Sequence, residues 1–276
     1  MSEFTIEEFE RSSRENGVRF WDAQEFMERL GYESWTSFQG VIRKAMGSCA
    51  RLNIEPSEVF IPHSYSDTAG KSTKTYKLTR FACFLISMHA DAKKPEVVKV
   101  RAILAAIADQ LIAERIKEQD LGRIEARDDL KLAERLMSGA AHEAGLESRY
   151  FGIFKNAGFL GMYNMGLREL MHHKGVHEDG VVLYDLMGLE ELAGNLFRAT
   201  QTAARIKKHG PAGLSQVSRT AQEVGSEVRQ IMIKDGGIAP ENLPLEEPIS
   251  IVKSRLKTAA RRMKKLDKPS RKRLPS

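Results

Sequence analysis

Apolar residues recur along this chain at two different spacings, and the changes between them mark its elements. Val18 to Trp21 reads as a short strand of β-branched and aromatic residues. Asp22 follows as an N-cap with Glu25 three residues on, the spacing of a capping box. Ala23, Phe26, Met27 and Leu30 then share one face of a helix that Gly31 stops. Trp35, Phe38, Val41, Ile42 and Met46 predict a second helix opening near Ser34. Between Phe60 and Leu78 the pattern becomes that of a β-hairpin, FIPHSY and TYKL on either side of a polar loop, Ser66 to Thr75. Thr79 can cap the next helix, FACFLISM, which is apolar nearly all round and so belongs in a core.

Pro95 suits the first turn of a further helix, where its missing N–H costs nothing. Val97, Val100, Leu104, Ile107, Leu111 and Ile112 carry that pattern towards Gln119, a length of about 35 Å at 1.5 Å per residue. A helix of that length connects to a second domain or pairs with a second copy of itself. Leu130, Ala133, Leu136, Met137 and Ala140 form the next stripe, and helices are expected over Leu189–Lys208 and along Val217, Val224, Val228 and Ile231. Pro240, Pro244 and Pro248 predict an extended linker. The fold class is therefore α+β and predominantly helical. The expected layout is a small N-terminal α+β domain over 12–92, a connecting helix over 95–120, a helical C-terminal domain over 121–237, and a proline-containing linker with a basic tail over 238–276.

Charge changes this picture at one end. Lys253 to Arg273 holds eleven Lys and Arg against the single acid Asp267, so this segment carries +10 and the remainder of a chain of net +6 carries −4. The basic character is local, and nucleic-acid binding by the folded part needs local arguments. Cys49 and Cys83 lie far apart among apolar neighbours with no CxxC pair, as small buried hydrophobes in a reducing cytosol do. No apolar run reaches a membrane-spanning length, and Met1 to Glu10 lacks the apolar core of a secretory signal, so a cytoplasmic, nucleoid-associated location is expected.

Candidate DNA contacts fall into three sets. Lys71, Lys74, Lys77 and Arg80 surround the hairpin, with Tyr65 and Tyr76 beside them for stacking on unpaired bases. Arg43 and Lys44 lie opposite the apolar face of their helix. Arg261, Arg262, Lys264, Lys265, Arg271, Lys272 and Arg273 make up the tail's charge. Each set also reads as ordinary solvated surface. Asn195, Arg198 and Gln201 share the polar side of a helix whose other side is Leu192, Leu196 and Phe197, and this is a candidate partner surface. His172, His173 and His177 with Glu178 and Asp179 lack the spacing of a zinc set and read as a polar loop. No phosphate-binding loop or nucleophile elbow is present, so no cofactor, metal or catalytic residue is expected. A nuclease with scattered carboxylates stays as an alternative.

Several stretches resemble one family in its own order: RFWDAQEFMERLGYESWTSFQGVIRKAM (Arg19–Met46), YKLTRFACFLISMHADAKKP (Tyr76–Pro95), FGIFKNAGFLGMYN (Phe151–Asn164), DLMGLEELAGNLFRATQT (Asp185–Thr202) and EVGSEVRQIMIKDGGIAPENLP (Glu223–Pro244). The set is similar to the DNA damage-inducible protein D family, with an N-terminal module of the kind shared with viral BRO proteins. That resemblance implies a role in the SOS response and association with RecA on single-stranded DNA, and it implies DNA binding by the N-terminal module. The expectation is a binding protein rather than an enzyme, with DNA (single-stranded favoured), RecA and a second copy of itself as partners. The alternative partner reading is a phage-type antirepressor acting on another protein.

Overall fold

Four antiparallel strands with helices against them form the first of two units in the computed structural model, which describes residues 5–15, 17–66, 72–111, 116–117, 119–178, 180–234 and 237–268. This unit comprises 1–121 with 251–276, and the second comprises 122–250. The strands are β1 (Arg14–Glu15), β2 (Arg19–Asp22), β3 (Phe60–Ser66) and β4 (Ser72–Leu78), in the order β1-β2-β4-β3. Register fixes which side faces inward. Leu78 pairs with both Trp21 and Phe60, so these three side chains lie on one face of the pleat, and all are buried.

Helix α1 (Ile6–Arg11) lays Phe9 against Trp21, ring centroids 4.5 Å apart, and the Trp21 indole donates to the Phe9 carbonyl at 2.9 Å. Helix α2 (Ala23–Arg29) starts at Asp22, whose carboxylate accepts from the amides of Gln24 and Glu25. Helices α3 (Trp35–Arg51) and α4 (Pro56–Val59) lead into the hairpin. The Thr79 hydroxyl then accepts from the Ala82 amide and opens α5 (Arg80–His89), buried from Arg80 to Ser87. Against α5 pack Phe38, Ile42, Ala45 and Cys49 of α3, and Val97, Val100 and Leu104 of α6 (Pro95–Leu111). Arg101 of α6 donates to the carbonyls of Ser87, Met88 and Ala90, occupying acceptors that the end of α5 leaves without helical partners.

Unit two holds most of α7 (Asp120–Glu143), then α8 (Phe151–Tyr163), α9 (Leu167–His173), α10 (Leu189–His209) and α11 (Gly213–Ile233). Its tightest contact is α8 on α11, where glycine lets the backbones touch. A Cβ built on Gly161 would stand 2.0 Å from the Gln222 carbonyl oxygen, and one on Gly225 would stand 2.5 Å from that of Gly158. A turn at Pro240–Asn242 follows α11, and the Arg229 guanidinium grips it through Glu241 at 2.5 and 2.8 Å while donating to the Met162 carbonyl at 3.1 Å.

The largest departure from expectation is the segment read as linker and tail, 238–276. Part of it closes unit two, where Leu245 bridges to Met187. The rest is helix α12 (Ile249–Leu266), which from residue 251 belongs to unit one and buries Val252, Leu256, Ala259 and Met263. Those positions have a 4-3-4 spacing, an apolar stripe interleaved with lysines and arginines. The connecting helix expected over 95–120 does not run through: α6 is described over Pro95–Leu111, a length of about 25 Å, and Ile116 and Lys117 lie outside any helix. The N-terminal unit also extends past the expected 12–92 to take in α1, α6 and α12. No helix among the described residues is long and apolar enough to cross a membrane.

Candidate nucleic-acid interface

Arg80, expected as a DNA contact, is 2% exposed. Its guanidinium donates to both carboxylate oxygens of Glu10, and its Nε to Asp267 Oδ1 at 3.2 Å. The Arg80 amide donates to Asp267 Oδ2 at 3.1 Å, and the guanidinium lies 5.0 Å from the Trp21 ring centroid. A basic side chain at the first position of a helix reads as surface until acids from α1 and from the residue just after α12 are seen to enclose it. Burial would raise the Glu10 carboxyl, but hydrogen bonds and charge from Arg80 and Arg19 outweigh it and hold Glu10 below its ordinary value. For Asp267, burial wins and the carboxyl is pushed up in spite of Arg80.

The rest of the hairpin set is divided. Lys74 is exposed, while Lys77 is half-buried with its ammonium 4.6 Å from the centroid of the Phe20 ring. Lys77 is held to the sheet by that ring, so its charge is less available to a ligand than Lys74's. Tyr76 is half-buried; Lys71 lies outside the described residues, as do Arg271, Lys272 and Arg273. Arg43 and Lys44 are exposed on α3, next to the buried pairs Val41 with Ile42 and Ala45 with Cys49.

Helix α12 gathers the remaining basic residues into a pattern. Arg261, Arg262, Lys264 and Lys265 are exposed, and Lys257 is half-buried. At 100° per residue, Lys257, Arg261, Lys264 and Lys265 fall within about 100° of the helix circumference, facing away from the Val252–Leu256–Ala259–Met263 stripe that docks the helix. Lys257 and Arg261 form no ion pair among the described residues. Lys257 was not singled out from sequence, although its place four residues before Arg261 was a usable signal.

Beside this stripe runs a cleft of about 430 Å³. Lys257, Ala260, Arg261 and Lys264 line it from α12, and Asn53, Ile54, Glu55, Glu58 and Val59 line it from α4 and the residues before it. Phe81 and Thr79 contribute from the start of α5, and Asp267, already engaged by Arg80, stands at one end. The Lys264 ammonium donates to Glu58 at 2.5 Å, linking the two sides in an ion pair that is more than half exposed on both partners. Glu55 accepts from the Ser57 amide and hydroxyl, capping α4. Neither acid carries a sequence signal for a site, because the approach of α4 to α12 joins residues about 200 positions apart.

The partner surface expected on α10 is corrected. Asn195 and Arg198 are 0% and 1% exposed, Gln201 is half-buried, and Phe197, expected inside, is 47% exposed. Arg198 donates to Asn195 Oδ1 at 3.0 and 3.2 Å and to the Tyr184 hydroxyl at 3.1 Å, with its guanidinium 5.1 Å from the Phe159 ring centroid. Asn195 in turn donates to the Tyr163 hydroxyl at 2.6 Å. Lys174 donates to Glu191 at 3.2 Å, and burial pushes the Glu191 carboxyl up although that ammonium opposes it. A buried polar stripe, Glu191, Asn195, Arg198 and Thr202, thus shares the inward face of α10 with Leu192 and leaves Phe197 outside.

His172 and His177 meet edge to face at 5.4 Å, and His173 is 3.3 Å from Asn242 Oδ1; Asp179 lies outside the described residues. No group of three potential metal ligands occurs among the described residues.

The family model for the DinD C-terminal domain matches residues 116–252. DNA damage-inducible protein D of Escherichia coli (strain K12) is 31% identical over 241 residues, covering 83% of this chain and 87% of that protein.

Proposed function

Because the chain belongs to the DNA damage-inducible protein D family, we propose that it serves in the response to DNA damage as a binding protein that engages DNA through its first unit. A DNA-damage-related role follows from that membership. The observation that carries the finer reading is α12. Its cationic stripe, with Arg261, Lys264 and Lys265 exposed and Lys257 half-buried, is backed by a buried apolar stripe, so the charges are displayed from a fixed helix rather than a loose chain. A stripe of cations at this spacing follows a phosphate backbone and gains by releasing its counterions. Single-stranded DNA, alone or within a RecA filament, is the proposed target, and occupancy rather than turnover is the proposed mode of action.

The test is binding of fluorescent oligonucleotides to the full chain across a salt series. Replacing Lys257, Arg261 and Lys265 by Ala should make the log–log salt dependence shallower by about 2 on single strands, at about 0.7 per lost phosphate contact, with the thermal midpoint unchanged. An unchanged slope refutes the assignment of α12.

A further inference from the structure

The cleft beside α12 carries opposite charge on its two sides, and that asymmetry bears on which form of DNA it admits. On the α12 side Lys257 and Arg261 form no ion pair among the described residues. On the α4 side stand Glu55 and Glu58. Between them lie Ile54 and Ala260 with the edges of the largely buried Val59 and Phe81, together with the polar Asn53 and Thr79, while Asp267, held by Arg80, closes one end. A single strand has the same asymmetry, with anionic phosphates along one edge and bases along the other. Unpaired adenine, cytosine and guanine present amino N–H donors, which carboxylates accept well. A duplex differs at the decisive place, because its second backbone would bring phosphates towards the two glutamates.

Resting on the reading of α12 as a DNA contact, we infer that this cleft is the groove for one unpaired strand: Lys257, Arg261 and Lys264 hold its phosphates, and Glu55 and Glu58 turn away the second strand of a duplex. The Lys264–Glu58 pair spans the cleft in the absence of DNA. Both partners are more than half exposed, so their attraction is weak and a phosphate can displace the carboxylate at little cost. Glu58 therefore acts as a stand-in for phosphate on Lys264, and when displaced it remains in the groove as a negative charge facing away from the bound backbone.

The experiment compares the full-length wild type with E55Q/E58Q and with K257A/R261A on single-stranded and duplex oligonucleotides of the same length. Glutamine keeps an acceptor oxygen for the Ser57 amide, so the cap of α4 survives, and thermal midpoints verify it. For E55Q/E58Q, duplex affinity should rise about fivefold or more, the size of removing one like charge near contact in water. Single-strand affinity should change by less, so the preference for single strands falls. If the ratio of the two affinities is unchanged, the groove is overturned even where K257A/R261A weakens binding, and α12 is then a DNA contact without strand selection. If K257A/R261A binds as the wild type does, or the wild type binds neither oligonucleotide, the reading of α12 fails and the groove fails with it.

Discussion

Substituting Gly161 by Ala sets two effects of known sign against each other. Alanine is the better helix former, by about 1 kcal/mol, so on propensity alone α8 should gain. Against this, the new Cβ would meet the Gln222 carbonyl oxygen at 2.0 Å, the Gln222 carbonyl carbon at 2.9 Å and the Ser226 amide nitrogen at 2.9 Å. All three are backbone atoms of α11, so no side-chain rotation relieves the overlap. A carbon and an oxygen in ordinary contact stand about 3.3 Å apart, so the helices must separate by roughly an ångström. Separation on that scale strips contact from both helices, and overpacking in a well-packed core costs about 1–3 kcal/mol or more. An overlap this deep with backbone atoms belongs at the upper end of that range, so repulsion wins and G161A should be destabilised by about 2 kcal/mol after the propensity gain is subtracted. The control is Gly139→Ala in α7, where a Cβ meets nothing within 4 Å and the site is exposed. That variant should gain up to about 1 kcal/mol. Urea unfolding of the full chain followed by circular dichroism reads both. A G161A protein as stable as the wild type would refute the close α8–α11 contact.

Two further substitutions probe the ion pairs. Asp267→Ala leaves Arg80 buried with Glu10 as its one carboxylate partner, and should cost about 3 kcal/mol, whereas Asp267→Asn keeps the acceptor for the Arg80 amide and should cost less; equal stability of D267A and wild type in denaturant would sink the docking of α12. Glu241 is held below its ordinary value of 4.5 chiefly by the hydrogen bonds from Arg229, which outweigh its burial. Its contribution is thus complete at neutral pH and is lost as pH falls through the lowered value. The stability advantage of the wild type over Glu241→Gln should accordingly shrink in melts taken below about pH 4.5, and a pH-independent difference would contradict the pairing.

What the sequence disclosed depended on whether an element's stabilising partners were nearby in the chain. Helix α5 was legible because Thr79 caps it three residues from Ala82 and its apolar run is continuous. The hairpin was legible because strand alternation and turn residues are local. Helix α12 was not, since the four apolar residues that dock it are outnumbered by lysines and arginines, and charge density suggests a solvated tail. The candidate site divided on the same line. Arg43, Lys44, Arg261, Arg262, Lys264 and Lys265 are exposed, as charged residues usually are. Arg80 and Arg198 are not, because distant elements cover them: Glu10 and Asp267 hold the one, and Tyr184 and the Phe159 ring join Asn195 of the same helix around the other. The cleft itself had no signature, since neither of its charged sides means anything until α4 and α12 are brought together.

The return of α12 to the first unit sets an order on biosynthesis. Residues 122–250 are contiguous, so the second unit has all its parts as soon as they leave the ribosome. The first unit begins earlier, yet the Arg80 side chain gains Asp267 only after the whole of the second has been made. The usual sequence, in which the domain nearest the N-terminus matures first, is inverted here: the element carrying the exposed cationic stripe is also the one that completes the unit, so a nascent or truncated chain ending before α12 lacks both the stripe and the last layer of packing beneath it.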